Sequence, residues 1–411
     1  MLTVVEGAGM NRRDFLAGAG ALAVTAQLPE LEAQQNGRCM VAAYYFGNYH
    51  VDERNVKAHG PNWTEWNLVK AATPRFPGHV QPRKPLWGYT DESDPLVFEK
   101  KIAAAAHSGI DAFLFDWYWY TDGPFLEAAL SDGYLRAANN KDLKFAVMWA
   151  NHDWFDIHPA KMAGPPTLQF KGGIGAQAFA AMVDRLLQLF QHSSYLLVDG
   201  CPYFSIYELF RFIQGMGGVA EAAQALDKMR SKVRAAGFPD LHVNAVTWGV
   251  KILPGQSETA NLPELLDHLH VDSATSYVWI HHTQFANAFT TEYGNICKQY
   301  EVYRAGAAKA LGKPYFPNVT VGWDSTPRTI QTDDYRLGEY PYTSVVVNNT
   351  PEAFKAALQS AKSFAKANLA PGQRIITLNS WNEWTEGSHL EPDTISGMAY
   401  LDAVREVFKH S

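Results

Sequence analysis

Eight short apolar runs, separated by segments of helical periodicity, limit what this chain can fold into more than any other feature. They occupy residues 40–46, 112–120, 145–150, 203–207, 243–248, 274–279, 315–321 and 374–380. Each is nearly continuous in apolar, β-branched or aromatic residues, the pattern of a strand covered on both faces. Helical periodicity follows at 95–108, 176–192, 220–236 and 350–369, with a closing helix at 399–410. Gly109 ends the first of these just before a strand. Strand and helix in repeated alternation call for parallel crossover units. An open doubly wound sheet and a closed barrel both satisfy that order. No GxGxxG or phosphate-binding loop follows the first run, which weakens the dinucleotide-binding form of the open sheet. Polar and aromatic residues gathered at the strand ends favour the barrel. The expected class is therefore α/β, a (β/α)8 TIM barrel in a single domain spanning 39–411. Extended βα loops are expected at 47–94, 151–175 and 280–300.

The first residues read differently. Arg12-Arg13 followed by Phe15-Leu16 and small apolar residues to Ala26 has the pattern of a twin-arginine export signal, with Met10 as an alternative start. Residues 1–26 are read as this signal and 27–38 as a linker. Its apolar run is far shorter than the roughly 20 residues that span a bilayer. A bacterial periplasmic or secreted protein without a stable membrane span is expected. The net charge of −7 and the lack of basic runs exclude a nucleic-acid partner. Cys39, Cys201 and Cys297 lie far apart with no CxxC pair, which leaves open one disulfide with a spare thiol or three free thiols.

In a barrel of this kind the site lies at the C-terminal ends of the strands. Those ends deliver Tyr44 and Tyr45 (first run), Asp116 and Trp117 (second), Asn151 and His152 (third), and Glu208 (fourth). Trp248 follows the fifth, Tyr277 and Trp279 the sixth, and Trp323 the seventh. The eighth delivers Asn382, Glu383, Trp384 and Glu386. Flat rings that pack on sugar C–H faces, interleaved with groups that bond hydroxyls, suit a carbohydrate. Breaking a glycosidic bond needs one protonated and one ionised carboxyl. Glu383 and Glu386 supply such a pair, and Gly387 lets the backbone turn after them. Their mutual charge and an aromatic wall both raise carboxyl pKa values. Glu208 reads either as a further site carboxylate or as the partner of a loop arginine. Asp116 reads as a hydroxyl ligand or as a group orienting a glutamate. His152, Asp153, His281 and His282 are too scattered to compose a three-ligand zinc site, so neither metal nor cofactor is expected.

The block LNSWNEWTEGSHLEPD (378–393) resembles the signature of the WbsX-like proteins, which group with the family 99 glycoside hydrolases. It is similar to the Asn-Glu-Trp-x-Glu segment of the endo-α-mannosidases there. AYYFGNYH (43–50), GIDAFLFDWYWY (109–120) and the closing helix extend the likeness over most of the chain. The resemblance implies a (β/α)8 barrel, no metal, and a retaining hydrolase acting on α-linked glycans. It further implies that Glu383 works at the sugar 2-hydroxyl and Glu386 as acid and base, through a 1,2-anhydro sugar. The competing expectations are a non-catalytic glycan-binding barrel and a protein of glycan assembly by glycosyl transfer.

Overall fold

The computed structural model describes residues 37–249, 251–256 and 261–409. The signal read over 1–26 and most of the 27–38 linker lie outside them. From Cys39 onward the residues form one compact unit. Eight strands make its centre: β1 (Met40–Phe46), β2 (Ala112–Tyr120), β3 (Lys144–Trp149), β4 (Cys201–Ile206), β5 (His242–Val246), β6 (Ser273–Thr275), β7 and β8 (Ile375–Asn379). Strand β7 comes in two halves, Tyr315–Phe316 and Asn318–Thr320, divided at Pro317. Proline has no N–H to give to a ladder, so the strand changes neighbours there. Its first half pairs with β6 and its second with β8. The neighbour order is therefore β7-β6-β5-β4-β3-β2-β1-β8 and back to β7. All these pairings are parallel, and the barrel closes.

The helices cover the outside and begin where capping chemistry allows. Asp94 caps Pro95–His107 by accepting the Leu96 N–H at 2.9 Å, and Thr350 caps Pro351–Asn368 through the Ala353 N–H. The stretch expected as a loop at 280–300 is a loop only in part, because a helix runs over Tyr293–Ala310. Its buried face is Tyr293, Ile296, Tyr300, Arg304 and Ala307, a helical stripe built from tyrosine and arginine rather than aliphatic residues. Short helices Glu53–His59 and Trp66–Ala71 likewise interrupt the 47–94 loop. Among the described residues no helix is long and apolar enough to cross a membrane. All three cysteines are free thiols, which settles the disulfide alternative.

Side chains alternate across each strand. On β1, Tyr44 packs within the barrel against Tyr277, with ring centroids 4.8 Å apart, while Tyr45 points outward onto Phe98. On β2, Asp116 and Tyr118 reach the mouth of the barrel, whereas the Trp117 indole turns out to bond Glu127 at 3.2 Å.

Candidate active site

The chain leaving β8 is held from three directions. Ser380 Oγ accepts the Glu383 N–H at 2.9 Å. Asn382 clamps the end of β1, accepting the Phe46 N–H at 2.8 Å and donating to its carbonyl at 2.7 Å. Behind the segment, the Trp384 indole donates to Glu391 at 2.8 Å. Lys101, fully buried, pairs with both Glu92 (2.7 Å) and Glu391 (3.1 Å). Asn382 also donates to Glu92 at 2.8 Å, so a buried polar network fixes the back of the motif while its glutamates face the barrel mouth.

Gly387 makes the turn that follows, with φ of 63°. A Cβ there would stand 2.6 Å from Asp324 Cβ and 2.8 Å from its amide nitrogen. That nitrogen donates to the Glu386 carbonyl at 2.5 Å. Gly387→Ala is therefore expected to cost roughly 1–3 kcal/mol in backbone strain alone, before the collision with Asp324 adds to it. Denaturant unfolding checks this, and a loss below about 0.5 kcal/mol, within the ordinary surface range, would refute it.

Glu383 and Glu386 open onto a pocket that also contains Asp116, Tyr118, His152, Trp154, Tyr277, His281, Trp323 and Arg328. Its non-atom space, mouth included, is about 670 Å³. Arg328 is the central cation. It donates to Glu65 at 2.8 Å, to Glu386 at 2.6 Å and, less closely, to Glu383 at 3.4 Å. It also donates to the Tyr340 hydroxyl, which in turn donates a hydrogen bond to Glu386 Oε1 at 2.7 Å. The Tyr277 hydroxyl stands between Glu383, at 3.1 Å, and one further carboxyl, Asp116, at 2.8 Å.

One guanidinium thus faces three buried carboxyls, with a fourth, Asp116, one tyrosine away. Burial alone would raise Glu65, but the Arg328 charge, with hydrogen bonds from Thr385 and Arg328, holds it below the usual range. Asn48 satisfies its second oxygen at 2.6 Å. With that carboxylate ionised, the positive charge is largely matched. Burial then pushes Asp116 and Glu383 well up and Glu386 up. The Glu386 charge raises Glu383 further, while Arg328 and Tyr340 restrain the rise at Glu386. The last two glutamates titrate as a unit and cannot both ionise easily. Burial also keeps the wall imidazoles neutral, His152 pushed down to about 4 and His158 and His281 to about 3.

Of the residues expected from sequence, Asp116, His152, Tyr277, Trp323, Glu383 and Glu386 converge on this pocket. Others serve it from behind. Tyr44 underlies Tyr277, and Trp248 packs against Tyr207 and His281. Asn151 accepts the Glu208 N–H at 2.7 Å and donates to its carbonyl at 2.8 Å, a brace between the ends of β3 and β4. Glu208 is fully buried with Arg211 at 3.8 Å, an arginine partner as in the second alternative, although it lies on the helix Leu209–Met216 and not in a loop. Tyr45, Trp117, Trp279 and Trp384 do not reach the pocket. Tyr45 and Trp117 fall on the outward phase of their strands, Trp279 stacks on Tyr300, and Trp384 stacks on His389. Asn382 steadies β1 rather than the carboxylates. Glu65, Arg328 and Tyr340 carry no sequence signal beyond being charged or aromatic residues in loops, and they were not foreseen. Among the described residues no three His, Cys, Asp or Glu side chains are grouped to hold a metal ion.

The sequence model of the family described as glycosyltransferase WbsX matches residues 41–404. The uncharacterized protein WxcX of Xanthomonas campestris pv. campestris is 26% identical over 370 residues, covering 89% of this chain and 49% of its own. The chain thus spans about half the length of the curated relatives it matches. A GH99 endo-α-mannosidase from Bacteroides thetaiotaomicron superposes with a TM-score of 0.55 at 15% identity, covering 90% of this chain and 96% of that one. A glycoside hydrolase-like protein gives 0.54 at 16% identity, with 91% and 95% covered. At these identities the likeness is one of fold.

Proposed function

The chain belongs to the family described as glycosyltransferase WbsX, and from that premise we propose that it cleaves α-linked bonds of an oligo- or polysaccharide with retention of configuration. One observation carries the reading: Glu383 and Glu386 are buried beside a guanidinium already matched by Glu65, and Tyr277 joins Glu383 to a third buried carboxyl, Asp116. Such a set holds protonated and ionised carboxyls side by side, which glycosidic cleavage requires. The fold shared with a GH99 endo-α-mannosidase supports the α linkage.

In this mechanism Glu386 gives its proton to the leaving oxygen while Glu383 takes the proton of the sugar 2-hydroxyl. The freed O2 attacks C1, the bond to the leaving group breaks, and a 1,2-anhydro sugar forms. Water then opens it at C1, giving a proton to Glu386, while O2 recovers its proton from Glu383. Arg328 and Tyr340 both engage Glu386 Oε1, so Oε2 carries the transferred proton. The static arrangement raises Glu383 more than Glu386, so this division asks the shared proton to sit on Glu386. In the substrate complex the tyrosine bridge meets that demand: Tyr277 lies within hydrogen-bond distance of both Asp116 and Glu383, so a proton moved to Asp116 leaves the Tyr277 hydroxyl free to donate to an ionised Glu383.

A second reading follows from the family's description: the same intermediate captured by a sugar hydroxyl instead of water. A sugar-nucleotide donor fits less well, because the pocket's guanidinium is committed to carboxylates and the remaining acids would repel a diphosphate. A purely binding barrel gives no reason to bury so many carboxyls together. Proton NMR of the first anomer released from a screened α-glycan, with a reduced oligosaccharide added as acceptor, separates these readings. A retained anomer of the free sugar is expected. An inverted anomer would overturn the mechanism, and product found only on the acceptor would establish transfer.

A further inference from the structure

The side of the pocket across from the glutamates is built for something other than hydroxyls. Glu383 and Glu386 follow strand β8, and in the closed order β4 lies four strands away, with β3 and β5 beside it. The loops after β3 and β5 supply Phe155, Ile157, Ile252, Leu253 and Pro254 to the lining, which they share with Tyr207. The backbone donors of this wall are already spent. Gln256 Oε1 accepts the N–H groups of Ile252 (2.8 Å) and Leu253 (3.0 Å), and its amide donates to the Tyr207 hydroxyl at 3.1 Å. The Ile157 N–H is taken by the Phe155 carbonyl at 3.0 Å. Polar capacity lies elsewhere: Asp116 Oδ1, His281 Nδ1 and, next to Ile157, His158 Nδ1 are buried atoms of lining residues without a hydrogen-bond partner among the described residues. A hydroxylated edge of a sugar finds partners at those atoms and at the glutamates, and a hydroxyl turned onto Ile252, Leu253 and Pro254 finds neither a polar side chain nor a free backbone N–H there.

We propose that the sugar unit held in this pocket carries an apolar substituent, the C6 methyl of a 6-deoxy sugar or an acyl group, seated against Ile157, Ile252, Leu253 and Pro254. The inference rests on the glycan-cleaving reading and names the class of sugar that the site selects. An apolar pocket discriminates against an added hydroxyl by roughly a hundredfold at most, so the preference has a ceiling.

The test uses the full chain and matched methyl α-glycosides in the manno, gluco and galacto series, each as the free hexose, its 6-deoxy form and its 6-O-acetyl form. Dissociation constants come from calorimetry or saturation-transfer NMR. In any series that binds, the 6-deoxy or the acetylated member is expected to bind roughly ten- to a hundredfold tighter than the hexose. Which of the two gains identifies the substituent as methyl or acyl. Leu253→Asn is expected to narrow or invert the preference, and Ile157→Thr gives the same reading if that variant does not fold. A free hexose binding as tightly as both derivatives would overturn the inference while leaving glycan cleavage standing. No binding by any glycoside, with α-linked polysaccharides also uncleaved, would overturn the proposed function and this inference together.

Discussion

Arg328→Met is expected to destabilise the barrel by about 3–5 kcal/mol, the usual cost of removing one partner from a buried ion pair. Arg328 is itself buried, and its charge survives desolvation because Glu65, Tyr340, Glu386 and Glu383 surround it. Methionine fills much of the same volume but strands these acids. Glu65 suffers most, since its carboxyl lies below the ordinary range through Arg328. A depressed carboxyl contributes stability above its unfolded pKa, lost as pH falls through the folded value. Without Arg328 that contribution disappears, and the variant's deficit is expected to be larger at pH 7 than at pH 3.5. Adding Glu65→Gln to Arg328→Met removes the stranded charge and is expected to return about 1 kcal/mol or more. Chemical denaturation of the three proteins measures this. A single variant within about 1 kcal/mol of wild type would show that the clamp carries no weight.

Glu383→Gln is expected to move activity and stability in opposite directions. Turnover should fall by about a hundred- to ten-thousandfold, the range for removal of a positioned acid or base. Stability at neutral pH should rise. Burial and the Glu386 charge push the Glu383 carboxyl well up, so the folded protein keeps a proton that the unfolded chain releases. Stability from such a group is fully present below the unfolded pKa of about 4.3 and is lost as pH climbs through the folded value, at about 1.4 kcal/mol for each unit. Glutamine does not titrate and escapes that loss. The gain in thermal midpoint over wild type should therefore grow from pH 5 to pH 8. A gain that stays flat or reverses across that range would mean that Glu383 is not held protonated by its surroundings.

How far the sequence speaks depends on whether a residue's neighbours are near it in the chain. Strand β2 is a nine-residue run, buried throughout, and its bounds follow directly from its composition. The pair Glu383 and Glu386 shares one short segment with its own turn glycine. Consecutive residues at a strand end are harder, because period two sends Asp116 inward and Trp117 outward, and the phase is set by the barrel rather than by the run. Tyr44 and Tyr45 divide in the same way. The helix at Tyr293–Ala310 escaped because its buried stripe includes Tyr300 and Arg304, which look like loop residues until they are packed. Least legible is the electrostatic centre. Arg328 and Glu65 stand 263 residues apart in the chain, each a lone charge in a loop. Only the closed order of the strands brings them to the same side of Glu386.

Glu383 and Glu386 as the cleaving pair can be tested in a single comparison. The full chain and its Glu386→Gln variant are incubated with a panel of α-linked polysaccharides, and released oligosaccharides are read by mass spectrometry. Release by wild type, reduced at least about a hundredfold in the variant, is the expected result. Equal release by both would place the acid on another residue, with Asp116, the lining carboxyl that Tyr277 joins to Glu383, the next to be tested.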